Sequence, residues 1–392
     1  MCVFNNTSMK RRVVVEVDLN ALVRNYRRIA EHVKPLEVLA VLKANAYGLG
    51  VAPFARALAN AGCRSFGVAE AHEAIEILSS LKEIGADIDV QILSSVLPWE
   101  IDEMVKNSVI LPVTGFEEAK AISDAAVRLG KTQRVNLKID TGMGRLGILA
   151  TGEDGRERAV SLVGKILSLP KIECEGVFSH CAMAYERDDS FTDSQISLFK
   201  AIVSDLRERG FQFKKVHIAA SDAVNNFPES ISAPFTCVRT GINLHGSFDP
   251  NGLRALNVES VLSLKTYVAQ VRVLPAGTSL GYGRTWIAPS QVKIAVISAG
   301  YADGLPLQLS NRGFVFIGGK RCPVVGRVSM DYATVDVSAV EDVRAGDEVV
   351  CLGRCNGDSI TPDDWAAIKG THPYDIICSL GSRVLRKTSR LI

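Results

Sequence analysis

Two lysines, two arginines, a histidine and a serine follow apolar runs in this chain, and together they could bind anions and move protons. Lys43 closes the run in VLKANAYGLG. Lys138 lies in LKIDTGMGRLG, which continues to Arg145. FSH ends at His180, HIAAS ends at Ser221, and RTGI carries Arg239, Gly241 and Ile242. Each has an ordinary alternative. A lysine after an apolar strand is usually a solvated edge residue, a lone histidine more often completes a core, and an arginine in a glycine-rich turn can cap carbonyls. A lysine amine can also form a Schiff base with a carbonyl compound, and a serine beside glycine backbone can cradle a phosphate. These readings gain weight only if the fold brings the residues to one place.

The pattern of elements does predict that. Asp18 can cap a helix whose apolar residues fall at Leu19, Leu22, Val23, Tyr26, Ile29, Ala30 and Val33, at helical spacing. Eight strands are predicted, at 36–42, 66–69, 90–93, 109–113, 135–139, 176–179, 216–219 and 235–238, most of them separated by helical patterns such as 117–129 and 194–209. Eight strand–helix units in about 230 residues fit a (β/α)8 TIM barrel, whose active site sits at the carboxyl ends of the strands. The candidate residues all fall at such ends. A doubly wound open sheet is the alternative, but it favours a glycine-rich first turn that is absent here. After Gly252 the texture becomes β-rich and punctuated by Gly and Pro. The expected organisation is a barrel over 18–250 and a C-terminal all-β domain over 251–392. A spare strand within 10–17 could join either.

Composition narrows the function. The 392 residues are 47% hydrophobic and 22% charged, a soluble globular balance. Lys plus Arg is 45 and Asp plus Glu is 43, a net charge of +2 that gives no electrostatic footprint for nucleic acid or an anionic membrane. No apolar run reaches the roughly 20 residues of a membrane span, and MCVFNNTSMKRR lacks a signal peptide's apolar centre. Nine cysteines with no C-x-x-C pair argue against a disulfide framework, and Cys351-x3-Cys355 lacks companion metal ligands. A cytoplasmic enzyme with no metal, nucleic-acid or membrane partner is expected.

A Schiff-base lysine with a phosphate cradle after strands seven and eight suggests pyridoxal 5'-phosphate. The chain closely resembles the alanine racemase family of barrel-type pyridoxal-phosphate enzymes. VLKANAYGLG, LKIDTGMGRLG, FSHCAMA, HIAAS, RTGI, GYGRTW, AGYADG, VGRVSMD and PYDIICSLGSRV occur in that family's order and spacing over nearly the whole chain. The resemblance implies a barrel followed by a β domain, an amino acid substrate, and a homodimer whose two active sites are shared between subunits. It implies that Lys43 carries the cofactor and acts as one base, while Tyr47, Ser221, Gly241, Ile242 and Tyr374 hold the phosphate. Arg239 would face the pyridine nitrogen, with His180 near the ring. Arg145 would bind the substrate carboxylate. Tyr282, the second base, and Met330 would come from the partner subunit, while Tyr301 and Asp331 would line the entrance or support the site. In some family members the lysine equivalent to Lys138 is carbamylated and pairs with the nearby arginine; an ordinary exposed lysine is the alternative.

Racemisation takes the α-proton from one face and returns a proton to the other, so Lys43 and Tyr282 would serve opposite faces, supplying D-alanine for peptidoglycan. A phenol, ordinarily titrating at about 10, needs help to act as a base, and His180 and Arg239 are the candidate neighbours. Arg239 can only donate, which leaves the pyridine nitrogen unprotonated and weakens the ring as an electron sink. Three residues depart from the family's pattern. Leu49 stands where His is common, Ala220 replaces an Asn before Ser221, and His245 stands in LHG where LYG is usual. Leu49 is a harmless change in the outer shell, whereas Ala220 and His245 bear on substrate preference and cofactor affinity, and a serine or broad-specificity racemase is the rival within enzymes. A barrel-type decarboxylase pairs this architecture with different residues. A non-catalytic pyridoxal-phosphate carrier would lack the β domain, and hence Tyr282 and Met330.

Overall fold

The computed structural model describes residues 10–84 and 87–391, which form two compact units. Residues Ala21–Glu259 make one, and the other joins the residues up to Asn20 to Ser260 and beyond.

In the first unit, the eight predicted strands are all present, as Glu37–Val41, Ser65–Val68, Asp89–Ile92, Leu111–Val113, Gln133–Asp140, Ile172–Phe178, Lys215–His217 and Cys237–Thr240. All pair in parallel. The eighth, first, second and third form one ladder and the fourth to seventh another. Two seams close the circle. A parallel bridge joins Gln91 to Ile110, and the Thr236 amide donates to the Val216 carbonyl at 2.9 Å, as Arg239 does to Ala219 at 3.0 Å. Closure excludes the open doubly wound sheet. Helices such as Val51–Asn60, Phe116–Arg128 and Ser190–Glu208 alternate with the strands. Strands covered on both faces are mostly apolar, and Ser65–Val68, Leu111–Val113 and Cys237–Thr240 are buried at every residue, the polar Ser65, Arg239 and Thr240 included.

In the second unit, Val14–Val17 lies antiparallel to Leu262–Lys265 and parallel to Leu385–Thr388, in a nine-stranded sheet. The spare strand therefore belongs to the β-rich unit. Just beyond it, the Asp18 carboxylate accepts from the Asn20 amide at 2.9 Å at the start of the helix Leu19–His32.

Opposite charges are paired at the amino ends of the barrel strands. Lys215 Nζ donates to Ser65 Oγ at 2.7 Å and Asp89 Oδ2 at 2.9 Å and lies 3.5 Å from Glu37, while Arg134 Nη1 reaches Asp89 Oδ1 at 2.6 Å. Burial raises the Asp89 carboxyl, but Lys215 and Arg134 outweigh it, and its pKa falls below the ordinary value. Its contribution to stability is thus present at neutral pH and lost as pH falls below about 4. Lys215→Met should cost about 2 kcal/mol at pH 7, because half-buried Asp89 loses one of its two cations and Ser65 its donor. In thermal melts the gap to the parent should narrow below about pH 4, where Asp89 takes up a proton.

Candidate active site

The opposite, carboxyl end of the barrel gathers positive charge. Lys43 follows the first strand and is exposed. The chain then makes a left-handed helical turn, with Ala44, Asn45, Ala46 and Tyr47 at φ 53, 55, 51 and 56°. L-residues avoid this conformation, at about 1–2 kcal/mol each, so surrounding contacts must impose it. Asn45 Oδ1 accepts from the Val51 amide at 2.7 Å. Glu73 lies buried beneath the turn; its carboxylate accepts from the amides of Ala44, of Asn45 at 3.4 Å and of Ala69 at 2.9 Å.

The turn leads Tyr47 to the loop after the eighth strand. A Cβ on Gly241 would lie 2.1 Å from the Tyr47 hydroxyl, so only glycine permits this approach. The Gly241 amide donates to Ser221 Oγ at 3.0 Å, leaving the serine proton for an anion. Ser221 and Ile242 are buried. His245 joins the same two segments: Nδ1 lies 3.0 Å from the Gly241 carbonyl and Nε2 3.1 Å from that of Ala46, and the ring packs on Tyr47 and Phe54. Burial holds its pKa down, to about 4, against the pull of those carbonyls. A neutral imidazole has one N–H, so His245 donates to one of these carbonyls and links the Tyr47 turn to the Gly241 loop through that bond and its ring contacts. Leu49 is buried beside it, and Ala220 carries the extended backbone that starts the short helix at Ser221.

Arg239, 4% exposed, lies in the eighth strand. Its Nη2 donates to the carbonyls of Ser179 at 2.7 Å and Ile218 at 2.9 Å and to His180 Nδ1 at 3.2 Å, and its Nη1 meets His217 Nδ1. Among the described residues no carboxylate accepts from it. Desolvation lowers its pKa, to about 10, so it stays protonated at neutral pH. Desolvation first, then the charges of Arg239 and its neighbours, pushes His180 and His217 well below the ordinary histidine value. Both are neutral and accept at Nδ1, so each carries its proton on Nε2. Among the described residues His217 Nε2 is buried without a partner.

Lys138 is 6% exposed, which removes the reading of an ordinary exposed lysine. Its Nζ donates to the Leu93 carbonyl at 2.8 Å. Arg145, exposed, belongs to a loop folded around Asp140, whose carboxylate accepts from the amides of Gly142, Gly144 and Arg145 at 2.9, 3.1 and 3.2 Å. The glycines at 142, 144 and 147 all have positive φ.

The fold thus brings Lys43, Tyr47, Lys138, Arg145, His180, Ser221, Arg239, Gly241 and Ile242 to one barrel mouth. Tyr282, Tyr301, Met330, Asp331 and Tyr374 fall in the second unit. There Tyr282 is 72% exposed and Met330 52%, Tyr301 stands on a turn hydrogen-bonded to Ser329 and Met330, and Arg383 Nη1 holds Asp331 at 2.7 Å while gripping buried Asp303. Glu73, Asp140 and His217 are the residues that sequence reasoning missed. Glu73 lies at i, i+4 and i+8 with Ile77 and Leu81, a carboxylate on a helix's apolar face, and that signal could have found it.

A closed (β/α)8 barrel with a lysine and an anion cradle at its carboxyl end defines a barrel enzyme built for a phosphorylated, carbonyl-bearing cofactor. Residues 17–249 match the alanine racemase N-terminal domain and 261–388 the C-terminal domain, and the chain belongs to the alanine racemase family. It is 34% identical to an alanine racemase of Halothermothrix orenii over 97% of this chain and 98% of that one. An alanine racemase crystal structure from Streptomyces lavendulae superposes with a TM-score of 0.88 at 30% identity, covering 98% and 99% of the two chains. One from Bartonella henselae, with covalently bound pyridoxal phosphate, gives 0.83 at 30% identity over 97% and 100%.

Desolvation first, then the charges of Arg145 and Arg239, pushes the Lys138 amine down, to about 8. Titrated by pH-dependent reductive methylation, it should lose its proton near there, and Arg145→Gln should return it toward the ordinary lysine value.

Proposed function

We propose that this chain interconverts L-alanine and D-alanine with pyridoxal 5'-phosphate, as a cytoplasmic homodimer that supplies D-alanine for peptidoglycan. The observation that carries this reading is Lys43, set at the mouth of the barrel beside the Tyr47–Ser221–Gly241 cradle in a chain of the alanine racemase family. Bound there, pyridoxal phosphate would acidify the α-proton of an attached amino acid.

The residues of the chain divide the rest. Tyr47, Ser221 and the Gly241–Ile242 backbone hold the phosphate, joined by Tyr374. Arg239 faces the ring nitrogen, to which it can only donate, and Arg145 takes the substrate carboxylate. Lys43 Nζ moves a proton on one face. Tyr282 Oη serves the other, and a second copy of the chain supplies it together with Met330 and, at the entrance, Tyr301 and Asp331. The exposure of Tyr282, Met330 and Tyr301 supports that assembly, because it leaves these side chains available to a second copy of the chain. Lys138, buried and partly neutral near pH 8, suits a carbamate that would pair with Arg145. No helix among the described residues is long and apolar enough to cross a membrane.

The purified protein should convert L- to D-alanine faster than it converts serine, and the reading fails if serine is preferred. Lys43→Ala and Tyr282→Phe should each lose at least about a hundredfold in kcat. When the two inactive variants are mixed and allowed to exchange subunits, hybrid dimers carry one intact site, so about a quarter of parental activity should return. Sites built within single chains would recover none.

A further inference from the structure

The left-handed turn after Lys43 poses a question that the residues already assigned do not answer. Ala44 and Asn45 are its first two residues, and like the opening residues of any helical turn their amides have no carbonyl behind them. The Ala46 amide reaches the Leu42 carbonyl at 2.8 Å and the Gly48 amide that of Ala44 at 2.7 Å, so those later donors are met by the chain itself. The first two are met by Glu73. One oxygen of that carboxylate takes Ala44 and Asn45, and the other takes Ala69 at the end of the second strand. Glu73 is 5% exposed and stands in the first turn of the helix Ala71–Leu81, where a carboxylate also meets the positive end of the helix dipole.

We propose that Glu73 is a positioning residue for Lys43: it ties the strained turn to the second strand and so fixes where the lysine amine and the Tyr47 hydroxyl stand. The inference rests on the reading of Lys43 as the cofactor lysine. Its chemistry is specific. All three groups that face the carboxylate are N–H donors, so an acceptor-only side chain is required on both oxygens. Glu73→Gln keeps the shape and turns an NH2 group toward a donor on one side. Either the Ala69 anchor or the turn is then released.

Glu73→Gln should be compared with the parent as full-length chains, stripped of cofactor with hydroxylamine and then titrated with pyridoxal 5'-phosphate. Hydrogen exchange in the segment 43–50 should accelerate about tenfold in the cofactor-free variant while the other barrel strands keep their protection. The dissociation constant for pyridoxal 5'-phosphate, read from visible absorbance, should rise about tenfold. Ala44→Gly in the same background should recover at least about threefold of that affinity, because glycine adopts positive φ without strain. A purely structural role gives a different pattern: exchange rises across the barrel and Ala44→Gly adds to the damage. That result, or a Glu73→Gln chain within twofold of the parent in both exchange and affinity, overturns the proposal. If Glu73→Gln does not fold, a soluble, cofactor-binding Ala44→Gly/Glu73→Gln chain supports it and an insoluble one overturns it. If the parent itself fails to bind pyridoxal 5'-phosphate, the assignment of Lys43 falls, while the exchange comparison still judges Glu73.

Discussion

A guanidinium held out of water without a carboxylate partner is the constraint that organises the barrel mouth. Burying a charge costs many kcal/mol unless other dipoles replace its hydration. For Arg239 the replacements are the carbonyls of Ser179, His217 and Ile218 and the nitrogens of two neutral histidines. Lys138 is treated in the same way by the Leu93 carbonyl. The field of these cations is therefore left directed into the mouth, where it depresses neighbouring bases and favours a phosphate or a carboxylate. The amino end of the same barrel is built on the opposite principle. There Lys215, Arg134, Asp89 and Glu37 satisfy one another and leave no charge for a ligand.

Carboxylates do occur beside the mouth, but they bind backbone rather than cations. Asp140 gathers three amides of the glycine-rich loop that carries Arg145, and Glu73 gathers those of the turn that follows Lys43. Each keeps its negative charge on N–H groups and so shapes the segment that presents a cation instead of neutralising it. His245 does for the Gly241 loop what these do for theirs, by packing and by one ring N–H between two carbonyls.

The strands could be read from sequence because β-branched and apolar residues concentrate in short segments such as 36–42, or alternate with polar ones as in 135–139, with helical patterns between them. The positions of Lys43, Arg145 and Arg239 were legible for a related reason: polar residues at the ends of such runs fall on one rim once the sheet closes. The partners of Glu73 and Asp140 were not, because each acts on backbone amides, which carry no residue-type signature; only the place of Glu73 on an apolar helix face hinted at a buried role. His217 lay in plain view in HIAAS, but its link to Arg239 crosses from one barrel strand to the next, and no spacing in the sequence says which side chains of the two strands meet. The burial of Lys138 was ambiguous because alternation along a strand does not say which face turns inward. Val14–Val17 could not be placed, since both its partners lie more than 240 residues downstream.

That last pairing also orders the assembly of the molecule. Val14 lies opposite Leu385 and Lys265 in one sheet, so the first strand to be synthesised waits for nearly the last. Every strand of the barrel, by contrast, is complete by Thr240. On a ribosome the barrel can close while the β-rich sheet still lacks a strand, and that sheet is sealed only once Leu385–Thr388 has emerged. Until then the strand Val14–Val17, paired on one side with Leu262–Lys265, presents its other edge unpaired, the feature that most readily recruits a neighbouring chain.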